Sequence, residues 1–434
     1  MNHAIGVVHW LAADVATTTY TVNLDAGFDL KAIRFYATGL HSATDAVSGA
    51  SARSGVGFAT GTASRRAVGG FDITAHATNV CGSAIRNDCV MVTAATDGTT
   101  TGALDITTFS STQFVLTVDD QIPGDLTIGW EAWGGSDITV ATVIDISEPA
   151  ATGVQSYTVT GFVASATDQV VMLAGCNVTA ALNSASDVGT GTYIGYCTGS
   201  ASANNIVIVG NNEDGAATSD CSGYCQTGEC LAMIPPTGGS AVTARAIGAF
   251  ATDAFTLNWL ERGTTDRKSV ALCIKGGYWQ TGAYTIDGAT LNATATVSGL
   301  AFQPIGVDLI GAMRAENAVD TATSHKRLGF GSAKSTTSRQ SMGLLAVTAL
   351  ADSDINIALE YDSALCFPSA TGTLQAAYDL DALTSDGFRI IVDVAGGVAS
   401  EWQGYLAFAS ATSELAPQSR IVNTSFAVTR ASSY

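Results

Sequence analysis

The sequence predicts an all-β protein made of three tandem antiparallel β-sandwich modules of jelly-roll-like type. Three observations predict it: a composition poor in helix formers, short motifs that recur three times in one order, and a two-residue alternation inside those motifs. Of the 434 residues, 47% are apolar and 13% charged. That is ample material for packed cores and too apolar for a disordered chain. Gly, Ala, Thr, Ser and Val dominate, while Lys and Arg are scarce. Long helices draw on Glu, Lys, Leu and Arg, whereas a Thr/Val/Gly-rich chain with few prolines reads as short strands joined by tight turns.

The repeat rests on ordered markers. An apolar run begins at Ile33, Val171 and Val307, with steps 171 − 33 = 138 and 307 − 171 = 136. A Gly-aromatic segment follows at Gly57, Gly195 and Gly329, with steps of 138 and 134. The clearest marker is Phe114-Val115-Leu116-Thr117-Val118, then Phe255-Thr256-Leu257-Asn258-Trp259, then Phe388-Arg389-Ile390-Ile391-Val392. A closing marker contains Trp133-Gly134-Gly135, Ile274-Lys275-Gly276-Gly277 and Phe408-Ala409-Ser410. A leading one contains Tyr20-Thr21-Val22, Tyr157-Thr158-Val159 and Ala295-Thr296-Val297.

Each marker is strand-length. In Phe255-Thr256-Leu257-Asn258-Trp259 the large apolar residues share one face and the polar ones the other, as in a strand with one side on a core. The first marker is more continuously apolar, the pattern of a central strand. A period of this size is too long for a solenoid or propeller blade. The predicted modules span 1–145, 146–285 with a Cys-rich insertion, and 286–434 with a C-terminal arm. Their linkers are short and β-like, so the modules are expected to pack on one another. The tail around Phe426-Ala427-Val428-Thr429-Arg430 reads as a further strand or as an arm to a neighbouring subunit.

The formal net charge is −19. A phosphate backbone repels such a surface, which argues against nucleic-acid binding. The amino-terminal segment lacks a basic region and an apolar core, so no secretory signal is expected, and no apolar run is long enough for a membrane-spanning helix.

Chemistry-bearing residues form no recurring constellation. The five histidines (His3, His9, His41, His76, His325) show no metal spacing. Cys221, Cys225 and Cys230 are the one metal candidate: three thiols that could share a Zn²⁺ with one further ligand, with oxygen donors nearby in Asn211-Asn212-Glu213-Asp214. A local disulfide and free thiols are the alternatives, and Cys81 and Cys89 favour the disulfide slightly. The run from Gly329 to Ser335 lacks phosphate-loop spacing and reads as a turn ending a strand. Acidic pairs such as Asp119-Asp120, Glu213-Asp214 and Asp379 with Asp381 read as solvated turns. No catalytic residue and no cofactor is expected.

The ordered motifs resemble repeat modules in virion structural proteins of tailed bacteriophages. Residues 33–37, 54–64, 114–118 and 131–135 with their later copies carry the likeness, most clearly 252–259 and 325–332. The resemblance covers most of the chain and implies a tail, baseplate or capsid-surface component. Its partners would be itself and other virion proteins, with a host glycan or receptor as a further partner, and it would reside in the virion after assembly in the host cytoplasm. The apolar composition implies a homo-oligomer that covers itself through buried β-surfaces. Two alternatives remain, a filament subunit and an adhesin in which Trp130, Trp133, Trp259, Trp279 or Trp402 stacks on sugars.

Overall fold

The computed structural model describes residues 1–411 and 428–431, apart from 50, 75–79, 96–98, 165–166, 180, 187–188, 217–219, 236–241, 264–265, 317–324, 349 and 351–352. His76 and most of the predicted tail therefore lie outside the described residues.

The chain is all-β, as predicted, and every strand pairing is antiparallel. The first stretch carries β1 (Asn2–Trp10), β2 (Thr19–Asn23), β3 (Leu30–Ala37), β4 (Ala46–Ser48), β5 (Ala52–Ala59), β6 (Arg65–Asp72), β7 (Cys81–Arg86), β8 (Met91–Ala94), β9 (Thr100–Ser110), β10 (Gln113–Asp120) and β11 (Leu126–Gly134). The second carries β12 (Val140–Ser147), β13 (Gly153–Thr158), β14 (Gln169–Gly175), β15 (Ser184–Ser186), β16 (Thr192–Cys197), β17 (Asn205–Asn212), β18 (Cys221–Thr227), β19 (Leu231–Met233), β20 (Ala244–Ala251), β21 (Ala254–Glu261) and β22 (Lys268–Lys275). The third carries β23 (Tyr278–Ile286), β24 (Thr294–Val297), β25 (Gly306–Gly311), β26 (Lys326–Ser335), β27 (Ser338–Val347), β28 (Asp354–Glu360), β29 (Leu365–Pro368), β30 (Leu374–Thr384), β31 (Gly387–Val394) and β32 (Glu401–Ala409), before the tail strand β33 (Val428–Ala431).

One strand order recurs. The larger sheets run β1-β11-β3-β5-β6-β7, β12-β22-β14-β16-β17-β18 and β23-β32-β25-β26-β27-β28. The smaller ones run β2-β10-β9-β8, β13-β21-β20-β19 and β24-β31-β30-β29. The first and last strands of each unit pair with each other, as in a jelly-roll wrap, while the strands between them form meanders. β12 and β23 are the opening strands of the second and third units, so the changeovers fall at 135–139 and 276–277. Breaks at 145 and 285 would cut through those two strands. The chain leaves each closing strand by a short turn and at once begins the next sheet.

Each sheet pair encloses a core. Phe35, Phe114, Leu116 and Trp130 fill the first; Leu173, Phe255, Leu257 and Trp259 the second; Leu309, Phe388, Ile390 and Val392 the third. A fourth core joins the outer faces of the three larger sheets, through Tyr36, Phe58, Trp133, Met172, Tyr196, Ile206, Leu272, Phe330, Trp402 and Leu406. The first marker is continuously apolar for this reason. In β14, Val171 and Leu173 face the sandwich while Val170 and Met172 face the junction. The third marker alternates because the smaller sheets turn their outer face to solvent, as Asn258 does between Leu257 and Trp259.

Pairing also corrects the marker alignment. Phe35 pairs with Gly57, Leu173 with Gly195 and Leu309 with Gly331. Gly331 therefore occupies the third position, two residues beyond Gly329, and the step becomes 331 − 195 = 136, equal to that of the first marker. A Cβ at these glycines would collide with the carbonyl oxygens of Val90, Cys230 and Ala364 on the facing sheet, so only glycine allows the approach.

Candidate functional site

The three units interlock. The loop after β3 sends β4 across to pair with β28 of the third unit. The loop after β14 sends β15 to pair with β7 of the first. The loop after β25 runs beside β18 of the second, where Arg314 Nη1 donates to the Gly223 carbonyl at 2.5 Å and Glu316 accepts from the Thr227 N–H at 2.8 Å. The crossings close a ring: first to third, third to second, second to first. The three modules, expected to pack on one another, also exchange segments and form one interlocked body.

Polar residues are buried where the three larger sheets meet. Arg34, Met172 and Asp308 hold equivalent positions, since they pair with Glu131, Leu272 and Leu406 on one side. On the other side they pair with Phe58, Tyr196 and Ser332. Arg34 donates to the Tyr196 hydroxyl at 2.5 Å and to Glu131 at 2.6 Å, and lies 2.9 Å from Asp308. Ser332 donates to Glu131 and to Asp308, each at 3.1 Å. His3 Nε2 lies 2.7 Å from Glu131. Burial works against the Arg34 charge, but Asp308, Tyr196 and Glu131 overcome it and raise its pKa. Burial raises Asp308 well above the usual carboxylate range, and the neighbouring Glu131 adds to this. Burial, with Lys334 and Arg34 nearby, lowers His3 to about 3.

A second buried polar layer lies six residues away along the same strand positions, about 20 Å at the strand rise. Lys326 of the third unit pairs with Asp72 of the first at 2.9 Å. Thr190 and Asn212 of the second unit donate to Asp72 at 2.6 and 2.9 Å. Both layers draw on all three units, and both join charges from different stretches of sequence.

The sequence candidates fare differently. Cys221, Cys225 and Cys230 cannot share one ion. Cys221 and Cys225 lie four residues apart on β18, about 13 Å at the strand rise. Their side chains enter different cores, and Cys230 lies in a third, inside the second sandwich. The Cys-rich segment is no insertion either, because β18 occupies the place of β7 and β28. All nine cysteines are free and buried, Cys81 and Cys89 among them, and burial pushes the Cys221 and Cys230 thiols up. Residues 329–334 lie in the body of β26, and only Ser335, the last residue of that strand, opens the turn to β27, where it accepts the Ser338 N–H at 3.0 Å. Asp379 and Asp381 sit on β30, paired with Arg339 and Arg389. His9 and His41 meet edge to face at 5.0 Å beside Asp125, and His325 accepts from the Thr348 N–H at 3.2 Å.

Trp10, Trp130, Trp133, Trp259, Trp279 and Trp402 are each at most 3% exposed, so none offers a sugar-stacking face. A cleft of about 470 Å³ between the second and third units is lined by Asn204, Thr227, Thr281, Tyr284 and Glu316 among others, with Glu316 its one carboxylate among the described residues. Nothing in the sequence marked Arg34, Glu131, Asp308, Asp72 or Lys326. They become partners only once sheets from distant stretches meet.

No helix among the described residues is long and apolar enough to cross a membrane. No protein-family model matches the chain, and no curated protein matches it. Among solved structures, an anion-selective porin from Comamonas acidovorans is 13% identical over 94% of this chain and 98% of that one, with a TM-score of 0.10, which carries no argument.

Proposed function

We propose that this chain is a structural component of a tailed-bacteriophage particle, placed on the tail, baseplate or capsid exterior. The observation that carries the reading is the closed ring of crossings, two by strands and one by a loop. It makes a single chain a preassembled, three-part block, suited to a site that must hold its shape without depending on subunit concentration. The buried thiols and the scarcity of exposed large apolar side chains fit a body released into an oxidising medium.

The apolar surplus is consumed inside the chain, so self-association would run through sheet edges and not through buried faces. β33 covers β2, whereas the equivalent β13 and β24 have no second strand among the described residues. Those two edges are the proposed contacts with further copies or other particle proteins. The test is mass spectrometry of gradient-purified particles, together with the solution mass of the purified chain. Copies in stoichiometric amounts per particle would support the reading. A dilution-resistant 44.2 kDa monomer absent from particles would end it.

A further inference from the structure

The three crossings end on one recurring contact. Asp45 accepts the Tyr361 N–H at 2.7 Å, Asn183 the Asn87 N–H at 2.9 Å and Glu316 the Thr227 N–H at 2.8 Å. Strand register makes their surroundings equivalent. Arg86, Gln226 and Glu360 pair with Ala67, Val207 and Ser341, and two residues later come Asp88, Gly228 and Asp362.

The charges at the three sites differ. In the first unit Arg86 forks onto Asp88 at 2.7 and 2.8 Å, beside the neutral Asn183. In the second, Glu316 is the crossing carboxylate, and the neutral Gln226 and Gly228 stand at the positions of Arg86 and Asp88. In the third, Asp45, Glu360 and Asp362 bring carboxylate oxygens within 4.8 Å of one another. Glu360 is only 6% exposed, and no hydrogen bond or ion pair of its carboxylate occurs among the described residues. Asp379 and Asp393 add negative charge around it. The nearby Arg339 is engaged with Asp379 at 3.0 Å. Burial, then Asp45 and Asp362, push the Glu360 carboxyl up to about 8.

We propose that Asp45, Glu360 and Asp362 form a divalent-cation site, calcium foremost, that clasps the first unit to the third. The donors are hard oxygens, with no nitrogen or sulfur to favour zinc or copper. Asp45 and Asp362 are exposed, leaving room for waters, which calcium's six to eight loosely arranged oxygen ligands accommodate better than magnesium's strict octahedron. The ion would supply at this crossing the positive charge that Arg86 supplies at its equivalent.

The full chain supplies its own control substitutions. Glu360→Gln and Asp45→Asn install residues that the protein already carries at the equivalent positions, Gln226 and Asn183. After chelator treatment, calcium chloride and magnesium chloride are titrated by calorimetry and thermal unfolding. Calcium should raise the wild-type midpoint by about 3 °C at a hundredfold excess over the dissociation constant, and magnesium by less. Both variants should lose the response while unfolding no earlier than the calcium-free wild type. Asp120→Asn, in an exposed acidic pair, should keep it. Absence of heat and shift in the wild type overturns the proposal. So does a response that survives Glu360→Gln, which would mean diffuse binding to an acidic surface. Terbium luminescence of the unaltered chain, reversed by calcium, reads the same site without any variant, and its absence also overturns the proposal.

Discussion

Arg34 sits between two buried carboxylates, and one cation can balance only one anion. Burial raises both carboxyls, Asp308 well above the usual range, while Glu131 receives the hydrogen bonds of Arg34, Ser332 and His3. His3 fixes one sign of the pH dependence. Its folded pKa of about 3 lies below the unfolded value of 6.5, so between these the unfolded chain binds more protons and stability falls as the pH falls. Asp308 acts oppositely: its raised folded pKa favours the folded state at low pH, and that contribution is lost as the pH rises through the folded pKa. Comparing His3→Gln with wild type isolates the first effect. Between pH 7 and pH 4 the wild type should lose about 3 kcal/mol more in urea unfolding than the variant; equal losses would contradict a buried neutral imidazole. In the second layer, Lys326→Met strands Asp72 without its cation and should cost about 3–5 kcal/mol. Adding Asp72→Asn should recover most of it, because Asn212 already occupies the equivalent position in the second unit.

At the scale of strands, the spacing between sheets is set by backbone and not by side chains. Gly195→Ala would drive a Cβ into the Cys230 carbonyl and should cost about 1–3 kcal/mol. Gly61→Ala, which meets nothing within 4 Å, should leave the urea midpoint unchanged. The same strands show what the sequence could tell. Class, strand markers and their order were legible because alternation and turn residues are local signals. Register was not. Gly329 stood in for Gly331, and Val159 for the residue opposite Phe255, which is Tyr157. Both slips are of two residues, and a two-residue shift leaves every side chain on its original face, so the pattern cannot detect it. The cysteine site failed for a related reason. Nearness in sequence suggested a cluster, but an extended strand carries Cys221 and Cys225 apart and into separate cores. The acidic clasp was invisible because a strand crossing joins residue 45 to residues 360 and 362.

For the whole molecule, the junction core changes what a repeat means. A chain of independent modules would unfold in three steps. Here, removing one unit would expose the outer face of a larger sheet, in the second unit Val170, Met172, Ile194, Ile206, Ile208, Val270, Leu272 and Ile274. It would also strip a crossing segment from one neighbour, unseat the crossing segment of the other, and leave Arg34 or Lys326 without its buried partners. Each loss falls on a unit that is still folded, so partial unfolding is penalised at every boundary. Calorimetry of the intact chain should therefore show one transition, with calorimetric and van't Hoff enthalpies in a ratio near one. Three independent units would give a ratio of about three. The isolated second unit, residues 140–275, should bind a hydrophobic dye or aggregate in place of forming a cooperative fold. A soluble fragment with a sharp transition of its own would show that the sandwiches, and not the junction between them, hold the stability of this protein.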